Sequence, residues 1–584
     1  MTESRLKNWM ACLTLAAIML PAGSLRAQPS EAANPLIDWP MSADPTLVEA
    51  QAPSRYHPRQ VGIWMQALNQ PDTQTRYQTA LAIARNHRAG MPGLEITAGR
   101  LHAILADAKE HALTRIAAAD ALLAINAQEH APAVWTASGE LGYEMARVIS
   151  PALAQLKYAP ALEAWRKTAG DATQSLTNRR LAVDSLALAG DPAAAAVLHA
   201  LAIDASAPSS LRLAAARAYA KTARAGDALP ALPDADAKVG QISTLVRVNL
   251  LSAHQNPQAY RLLAELLKHS DPTVSHHAAS ILLQHAPDQL DGHLSDFARS
   301  GDVGLRRIAL TRWTQLSNDA AVAGLSGLLE DMHPAVRTQA TTSLIELGKK
   351  SELQARIHEA VLNVLRTGQP AGREQAALLA GELKINAAAQ DLVKLLDHES
   401  AAVGLASATA LRKLQLPETL DAALENLVKN SSRSAGNGRD EQAAQLIQLM
   451  GLVKHQPADA ALRKLIPKNA GPLKSRQAAI WALGHLHADK PDNQLVSHFN
   501  ARINDTRGME PEDEMIRVHA IIAIGRMKAA NTLSAMRKLH DDPESSTIIA
   551  AAARWTLAQL TGSELPVPVL PVQTLTGGFL DPID

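Results

Sequence analysis

The sequence is nearly devoid of cysteine and poor in aromatic residues. Cys12 is the single cysteine among 584 residues, and Phe, Trp and Tyr together make up 3% of the chain. Intrachain disulfides, iron–sulfur clusters and C-x-x-C-H haem attachment each need two or more cysteines, so all are excluded. A thiolate ligand for a metal could come only from Cys12. The hydrophobic content of 47% is supplied chiefly by Ala and Leu, which favours closely packed helices over strands.

An excess of charge of one sign is also absent. Lys and Arg total 57, as do Asp and Glu. Without a strong positive field the chain has no general attraction for nucleic acid or for an anionic membrane surface, so neither is expected as a partner. The motifs of phosphate-binding loops, nucleophile elbows, zinc proteases and dinucleotide folds are missing as well. The sequence therefore predicts no catalytic residue and no cofactor.

The first 27 residues have the pattern of an export signal. Arg5 and Lys7 precede an apolar run over residues 9–20, and the small residue Ala27 marks the expected cleavage position. The run is shorter than the roughly 20 residues needed to span a bilayer. We predict a signal peptide over residues 1–27 and a periplasmic or secreted mature chain without an integral membrane span. Because Cys12 lies in the apolar run, the mature chain would also contain no thiol. The alternative is a buried N-terminal helix.

One helical pattern recurs along most of the chain and is clearest over residues 331–348. A turn containing Asp331 leads into a helix in which Arg337 is followed three residues later by Ala340 and seven residues later by Leu344. The same spacing of an anchor, a small residue and an apolar residue begins at six further arginines: Arg115, Arg179, Arg212, Arg306, Arg476 and Arg517. Repetition of this kind indicates one elongated repeat array.

The spacing of the anchors gives the size and number of the units. Consecutive anchors, including four weaker ones, are 30 to 41 residues apart, and three larger gaps of 64, 64 and 72 residues each fit two units. A first helix fits before each anchor helix, as in residues 319–329. Two short helices cannot bury their apolar faces alone, so the units must stack. The pattern therefore predicts about 14 or 15 two-helix units over residues 61–562.

The turn followed by Val-Arg-x-x-Ala-x-x-x-Leu in residues 334–344 resembles the HEAT repeat, in the short form named after the phycobilisome lyases. The resemblance implies an all-α, right-handed α-solenoid with first helices on the convex face and second helices on the concave face. In such arrays a turn aspartate and a helix arginine of neighbouring units commonly pair. This implies a structural ladder of four residues: Asp302, Arg306, Asp331 and Arg337.

Two proline-rich segments flank the repeats. Residues 28–60 lack helical periodicity and are predicted to form a linker or an arm on the surface. Residues 563–584 begin with alternating prolines, which exclude a helix. We predict that this tail covers the open end of the solenoid, because solenoid ends need a cap. A polyproline-type segment that docks on a partner is the alternative.

A cluster of cations is the most suggestive surface feature. Between Asp459 and Asp489 there is no carboxylate, whereas five cations lie there: Arg463, Lys464, Lys468, Lys474 and Arg476. Because the stretch ends in an anchor helix, part of it can face the concave groove and attract an acidic segment of a partner. The alternative is a solvated edge whose charge is balanced by acids of neighbouring repeats.

Histidines provide the remaining candidates for chemistry. The HEAT resemblance raises two enzymatic precedents, deoxyhypusine hydroxylase, whose iron is held by His-Glu motifs, and the bilin lyases. This chain has only the pairs His358-Glu359 and His398-Glu399, fewer than the hydroxylase pattern needs, and nothing that identifies a chromophore pocket. The pairs at 276–277 and at 485 and 487 lack a third ligand at useful spacing, which favours ordinary surface or helix-end histidines.

These observations favour an exported, non-catalytic scaffold that binds a protein or a peptide segment along its concave face. A solenoid suits this role because its stacked units expose a long groove. One alternative is an accessory subunit of an extracytoplasmic redox complex, in which a haem or dehydrogenase cofactor belongs to the partner. The other is a histidine-metal or lyase-like HEAT enzyme.

Overall fold

The computed structural model describes the repeats almost without interruption. Its described residues are 35–50, 54–56, 59–224, 227–233, 240–430, 439–507, 509–570 and 572–575. The predicted signal peptide lies outside them. They contain 27 α-helices, which form a stack of helical pairs, and two strands of three residues. The predicted all-α solenoid is confirmed.

The helices run in chain order along the solenoid. They are α1 (Gln60–Ala67), α2 (Thr73–Arg88), α3 (Ala98–Ala106), α4 (Ala112–Gln155), α5 (Ala159–Gly170), α6 (Leu176–Ala189), α7 (Ala195–Ile203), α8 (Ser209–Thr222), α9 (Gln241–Ser252), α10 (Pro257–Ala264), α11 (Pro272–His285), α12 (Leu294–Ala298), α13 (Val303–Leu316), α14 (Asp319–Gly327), α15 (Pro334–Leu347), α16 (Ser351–Thr367), α17 (Pro370–Glu382), α18 (Ala389–Leu395), α19 (Ala401–Leu414), α20 (Leu420–Asn430), α21 (Arg439–Leu452), α22 (Asp459–Arg463), α23 (Leu473–Leu486), α24 (Asn493–Ile503), α25 (Glu514–Arg526), α26 (Leu533–Asp541) and α27 (Thr547–Thr561).

The long α4 is three helices in continuous succession. Its backbone leaves helical geometry at Asn126 and at Gly142, and the φ of 65° at Gly142 is a left-handed conformation that glycine adopts without strain. Residues 112–125 and 143–155 are second helices, and residues 127–141 are a first helix. With α2, α6, α8, α9 and the odd-numbered helices from α11 to α27, the described residues contain fifteen second helices, within the predicted number of units.

Turn residues start and end the second helices. The Asp271 carboxylate accepts a hydrogen bond of 2.8 Å from the backbone N–H of Thr273, with Pro272 at the first position of α11. Asp302 caps α13 in the same way. At the other end of α13, Ser317 has a φ of 51°, a left-handed geometry that ends a helix. The turn between the helices of a unit is therefore encoded locally.

The anchor arginines bond the ends of the first helices. Nε of Arg115 donates to the carbonyl of Leu105 in α3 at 2.8 Å. Arg179 and Arg212 reach the carbonyls ten residues before them, in α5 and α7, at 3.2 Å each. A guanidinium at this position satisfies a carbonyl without an intrahelical partner and opposes the negative end of the helix dipole. The repeated arginine thus joins the two helices of one unit.

Small residues bring neighbouring second helices into close contact. A Cβ added at Gly451 of α21 would lie 2.8 Å from the Cα of Ala482 in α23, and one at Gly484 would lie 3.0 Å from the Cα of Ala523 in α25. From α19 to α27, neighbouring second helices also pack more extensively against each other than neighbouring first helices do. In a curved stack the more closely spaced row is the inner one, so the second helices form the concave face.

The two proline-rich segments meet at a short parallel strand pair. Strand β1 (Ser54–Tyr56) pairs with strand β2 (Gln573–Leu575), with Ser54 opposite Gln573. The Tyr56 hydroxyl donates to the carbonyl of Ala89 at 3.4 Å, after α2. The described part of the tail therefore reaches the segment beside the first units.

Substitution of Gly451 tests the close contact between second helices. We expect Gly451→Ala to destabilise the protein by about 1–3 kcal/mol, because the added methyl group meets backbone atoms that cannot move alone. The matched control is Gly139→Ala in α4, where a Cβ meets nothing within 4 Å, and there we expect a gain of up to about 1 kcal/mol. Chemical denaturation measures both. Equal effects at the two positions would contradict the proposed contact.

The pH dependence of stability tests the burial of His519 in α25. Burial lowers the pKa of this ring to about 4 from 6.5. Because the folded-state pKa is depressed, the associated stability is complete above pH 6.5 and is lost as pH falls toward 4. We expect the wild type to lose about 3 kcal/mol more than His519→Leu over this interval, measured by denaturation at several pH values. Parallel pH profiles for the two proteins would refute the assignment.

Candidate peptide-binding groove

Residues 36–49, here called the arm, lie along the concave face of the C-terminal units. Their hydrogen-bond partners belong to five consecutive second helices, α19, α21, α23, α25 and α27. Apart from a 3-10 turn at Pro40–Ser42 and bends over residues 43–45, the arm has no regular secondary structure. The concave face of these units is therefore a groove that holds a peptide segment.

Asp38 makes the first group of arm contacts. Its carboxylate pairs with the guanidinium of Arg412 and lies 3.1 Å from Nζ of Lys413. Its backbone carbonyl accepts from Nε2 of Gln445 at 2.9 Å and from Arg412 at 3.3 Å. Nζ of Lys413 also donates to the carbonyl of Leu36 at 2.8 Å. The groove thus contacts both the backbone and the carboxylate of this part of the arm.

The centre of the arm is apolar. Met41 is 6% exposed and packs in the main hydrophobic core of the solenoid. Its backbone N–H donates to Oε1 of Gln448 at 3.0 Å. Beside it, the ring of Trp39 lies under Nζ of Lys474, 4.8 Å from the ring centroid, a distance at which a cation and an aromatic face attract. These contacts anchor the arm between Asp38 and Asp44.

Asp44 makes the second polar group. Its carbonyl accepts from the indole N–H of Trp481 at 3.0 Å and from Nη2 of Arg526 at 2.8 Å. Its carboxylate lies 2.8 Å from Arg526 and 2.9 Å from Nε2 of His485. Farther along, the guanidinium of Arg554 donates to the carbonyl of Val48. Three donors from two helices therefore converge on one aspartate.

The charges of the groove and the arm are complementary. Burial opposes ionisation of Asp38, but Arg412 and Lys413 outweigh it and hold the pKa of its carboxyl below the usual value. The hydrogen bond from His485 and the charge of Arg526 lower the pKa of Asp44 against the effect of burial. Burial lowers the pKa of His485, an effect that Asp44 offsets only in part. At neutral pH the two aspartates are therefore anionic and this imidazole is neutral.

The donor set suits binding of an extended acidic peptide. Guanidinium, amide, indole and imidazole groups face carbonyl and carboxylate oxygens, which are the acceptors that a peptide presents.

Across the described part of the chain, no group of three or more His, Cys, Asp and Glu side chains is arranged to hold a metal ion. None of the helices in those same residues has the length and apolarity needed to cross a membrane.

Two members of the predicted cationic cluster are tied to neighbouring units. Arg463 lies 2.6 Å from carboxylate oxygens of both Asp459 and Asp492. Arg476 is buried and donates to both carboxylate oxygens of Glu512, at 3.0 and 2.7 Å. These arginines therefore join adjacent repeats.

The lysines of the cluster are placed differently from one another. Lys468 lies 3.0 Å from Asp505 in the loop before α25, and Lys464 is exposed at the end of α22. Lys474 is the member that reaches the arm, since it lies over Trp39 while its Nζ is 2.9 Å from Glu441. The structure therefore brings one residue of the cluster, Lys474, to the edge of the groove.

The ladder residues connect consecutive units through turn aspartates. Arg306 and Asp331 form a two-point ion pair, at 2.7 and 3.1 Å, with 5% and 9% of the residues exposed. Asp302 lies 3.5 Å from Nδ1 of His276 in the preceding unit. Arg337 instead donates to the backbone carbonyl of Asp331 at 2.8 Å. Carboxylate pairing thus joins units at two steps, and Arg337 stabilises its own turn.

The histidine pairs are not assembled into common sites. Nε2 of His277 is 3.2 Å from Oδ1 of Asn249, whereas His276 faces Asp302. His485 contacts the arm, and Nε2 of His487 is 2.7 Å from the carboxylate of Asp459. His358 and His398 lie on different units, at α16 and just before α19. Each histidine therefore has its own local environment.

Sequence reasoning missed most of the groove. It named His485 only as part of a histidine pair, and it did not single out the other side chains that bond to the arm: Arg412, Lys413, Gln445, Gln448, Trp481, Arg526 and Arg554. One available signal was Gln445 and Gln448, which interrupt the apolar part of α21. Such side chains cost free energy when buried without partners, so they indicate a polar ligand or segment nearby.

Removal of one carboxylate tests the ladder. We expect Asp331→Asn to cost about 3 kcal/mol, because it leaves the buried charge of Arg306 without its anion. The control is Asp296→Asn, whose ion pair with Arg299 is about three-quarters exposed on both sides and should contribute less than about 0.5 kcal/mol. Hydrogen exchange in α15 reports the local loss. Similar exchange rates in the two variants would contradict a stabilising ladder.

Comparison with solved structures identifies the same class of fold. Kap95p, described with RanGDP, superimposes with a TM-score of 0.53 at 14% identity and covers 86% of this chain and 72% of its own. Yeast importin-β (Kap95p) on its own gives a TM-score of 0.51 at 13% identity, with coverages of 86% and 73%. No protein-family model and no curated protein sequence matches the chain. The chain therefore has the HEAT-repeat solenoid fold of the importin-β proteins.

Proposed function

We propose that this chain is an exported, non-catalytic scaffold that binds a protein partner, or a peptide segment of one, on its concave face. The observation that carries the proposal is the groove itself, which already holds a peptide segment through side chains of five second helices. Its donors require acceptors and supply no nucleophile or metal site. Kap95p, a solenoid of the same fold, binds RanGDP, which is consistent with a surface of this kind receiving a protein.

The cationic cluster contributes to the proposal through its lysines. Lys474 lies at the groove edge with 43% of its side chain exposed, and Lys464 is exposed. Lys474 has one carboxylate contact, with Glu441, whereas Arg463 and Arg476 each have two. Charges at the rim of an interface chiefly affect the rate of association and its salt dependence.

Export is proposed from the pattern of residues 1–27. We expect the protein recovered from the cell envelope or the medium to begin at Gln28, because the signal would be removed on translocation. Intact mass measurement of the purified protein tests this. A mass that retains residues 1–27 would contradict the assignment of a signal peptide.

Site-specific photocrosslinking tests binding on the concave face. A crosslinking amino acid at Thr342 in α15 would face the concavity. Thr342 follows the anchor Arg337 by five residues, just as Trp481 of the groove follows the anchor Arg476. The matched control is Glu359 on first helix α16; both positions are exposed. We expect one protein to be captured in cells from Thr342 and not from Glu359. Equal capture from both positions, or capture from neither, would contradict a concave-face scaffold.

A further inference from the structure

We propose that the groove is a recognition site for an extended acidic segment of a partner and that the arm is its resident occupant, displaced when the partner binds. The segment carries two carboxylates six residues apart with an apolar side chain midway, the pattern of Asp38, Met41 and Asp44. This inference rests on the proposed scaffold function and names the chemistry of the ligand.

Two buried cations of the groove, Arg412 and Arg526, depend on the arm for their anions. Within the residues that the structure describes, the carboxylate contacts of Arg412 and Arg526 come from Asp38 and Asp44 respectively. The two arginine side chains are 4% and 9% exposed. A buried cation without an anion costs several kcal/mol. The groove therefore has a persistent requirement for two carboxylates, whichever chain supplies them.

The arm is attached to the groove in a way that permits exchange. Over residues 37–49, the backbone hydrogen bonds to the solenoid are made by side chains of the second helices, and the backbone–backbone bonds are internal to the arm. The carboxylates of Asp38 and Asp44 remain 54% and 46% exposed. The second helices pack through their own small residues, so their contacts do not require the arm.

The contacts divide into general and selective ones. Gln445, Trp481 and Arg554 bond to main-chain carbonyls, which any extended peptide offers. Selection comes from the two carboxylate sites and from the buried position of Met41 between them. Because an acceptor missing at a buried donor costs more than a poor apolar fit, the two acids dominate recognition.

The tether makes the arm a strong competitor. A segment joined by a short linker has an effective concentration of about 1 mM at its site. A free segment of equal affinity therefore binds the intact protein poorly, and weakening the arm should uncover the groove. Exchange of arms between two copies is the other way to fill it.

The experiment uses the intact protein and a fluorescent peptide of residues 35–50. Anisotropy titrations compare the wild type, the double variant Asp38→Asn with Asp44→Asn, and the control Asp296→Asn with Glu359→Gln, which removes two carboxylates outside the groove. We expect the first double variant to bind the peptide about tenfold or more tightly than the wild type, because its own arm competes less. The control should bind like the wild type.

Two further titrations test the specificity of the groove. A peptide in which both aspartates are asparagine should bind the arm variant about tenfold or more weakly, and Arg526→Gln added to the arm variant should weaken the original peptide similarly. Equal binding to wild type and arm variant, or failure of the arm variant to fold as judged by circular dichroism, would make the arm an integral part of the fold and overturn the proposal. A concentration-dependent dimer of the wild type whose subunits exchange arms would also overturn it.

The outcome is separable from that of the scaffold proposal. Peptide binding to the arm variant without crosslinking from Thr342 would leave the groove a peptide site and contradict the scaffold function. Capture of a partner from Thr342 together with no peptide binding to the arm variant would preserve the scaffold and exclude the groove as its acidic-segment site.

Discussion

The close contact between neighbouring second helices is the constraint on which the rest of the structure depends. Where Gly451 and Gly484 meet alanines of the next second helix, backbones approach to distances that no larger residue allows. The inner row becomes dense, and the solenoid curves around it. Long side chains on this row cannot be accommodated between the helices, so those beside the contacts extend into the concavity. The same packing that curves the stack therefore lines its inner face with Arg, Gln, His and Trp.

That lining explains why the arm lies where it does. Arg412 and Arg526 are largely removed from water, and each needs an anion at close range. Asp38 and Asp44 supply these anions, and Met41 fills the apolar space between them. Contacts that hold units together, such as Arg306 with Asp331, lie within the stack, whereas Arg412 and Arg526 receive their anions from the arm. The ion pairs that join the units of the solenoid are therefore different from the ion pairs that hold the arm in its groove.

The repeat pattern predicted the architecture because it is local. The turn with Asp331, the anchor Arg337 and the small residue at Ala340 lie within ten residues, and they specify the turn before the helix, the side-chain bond that holds this turn and a packing contact. The arm contacts were beyond such reasoning, because Asp44 and Trp481 are separated by 437 residues. Sequence periodicity cannot show which segment crosses the concave face. The cationic cluster showed the same limit, since the partners of Arg476 and Lys468 lie in a loop of the following unit.

The central claim is that the concave face of the C-terminal units holds the chain's own arm as a peptide ligand. Its most direct test is a photocrosslinking amino acid at Met41 in the intact protein, followed by mass spectrometric mapping of the intrachain product. Met41 packs on the core and its backbone N–H bonds to Gln448, so we expect crosslinks within residues 439–486. In the variant with Asp38 and Asp44 replaced by Asn, these crosslinks should disappear when the 35–50 peptide is present in excess. Crosslinks to the first helices, or none to residues 439–486, would contradict it.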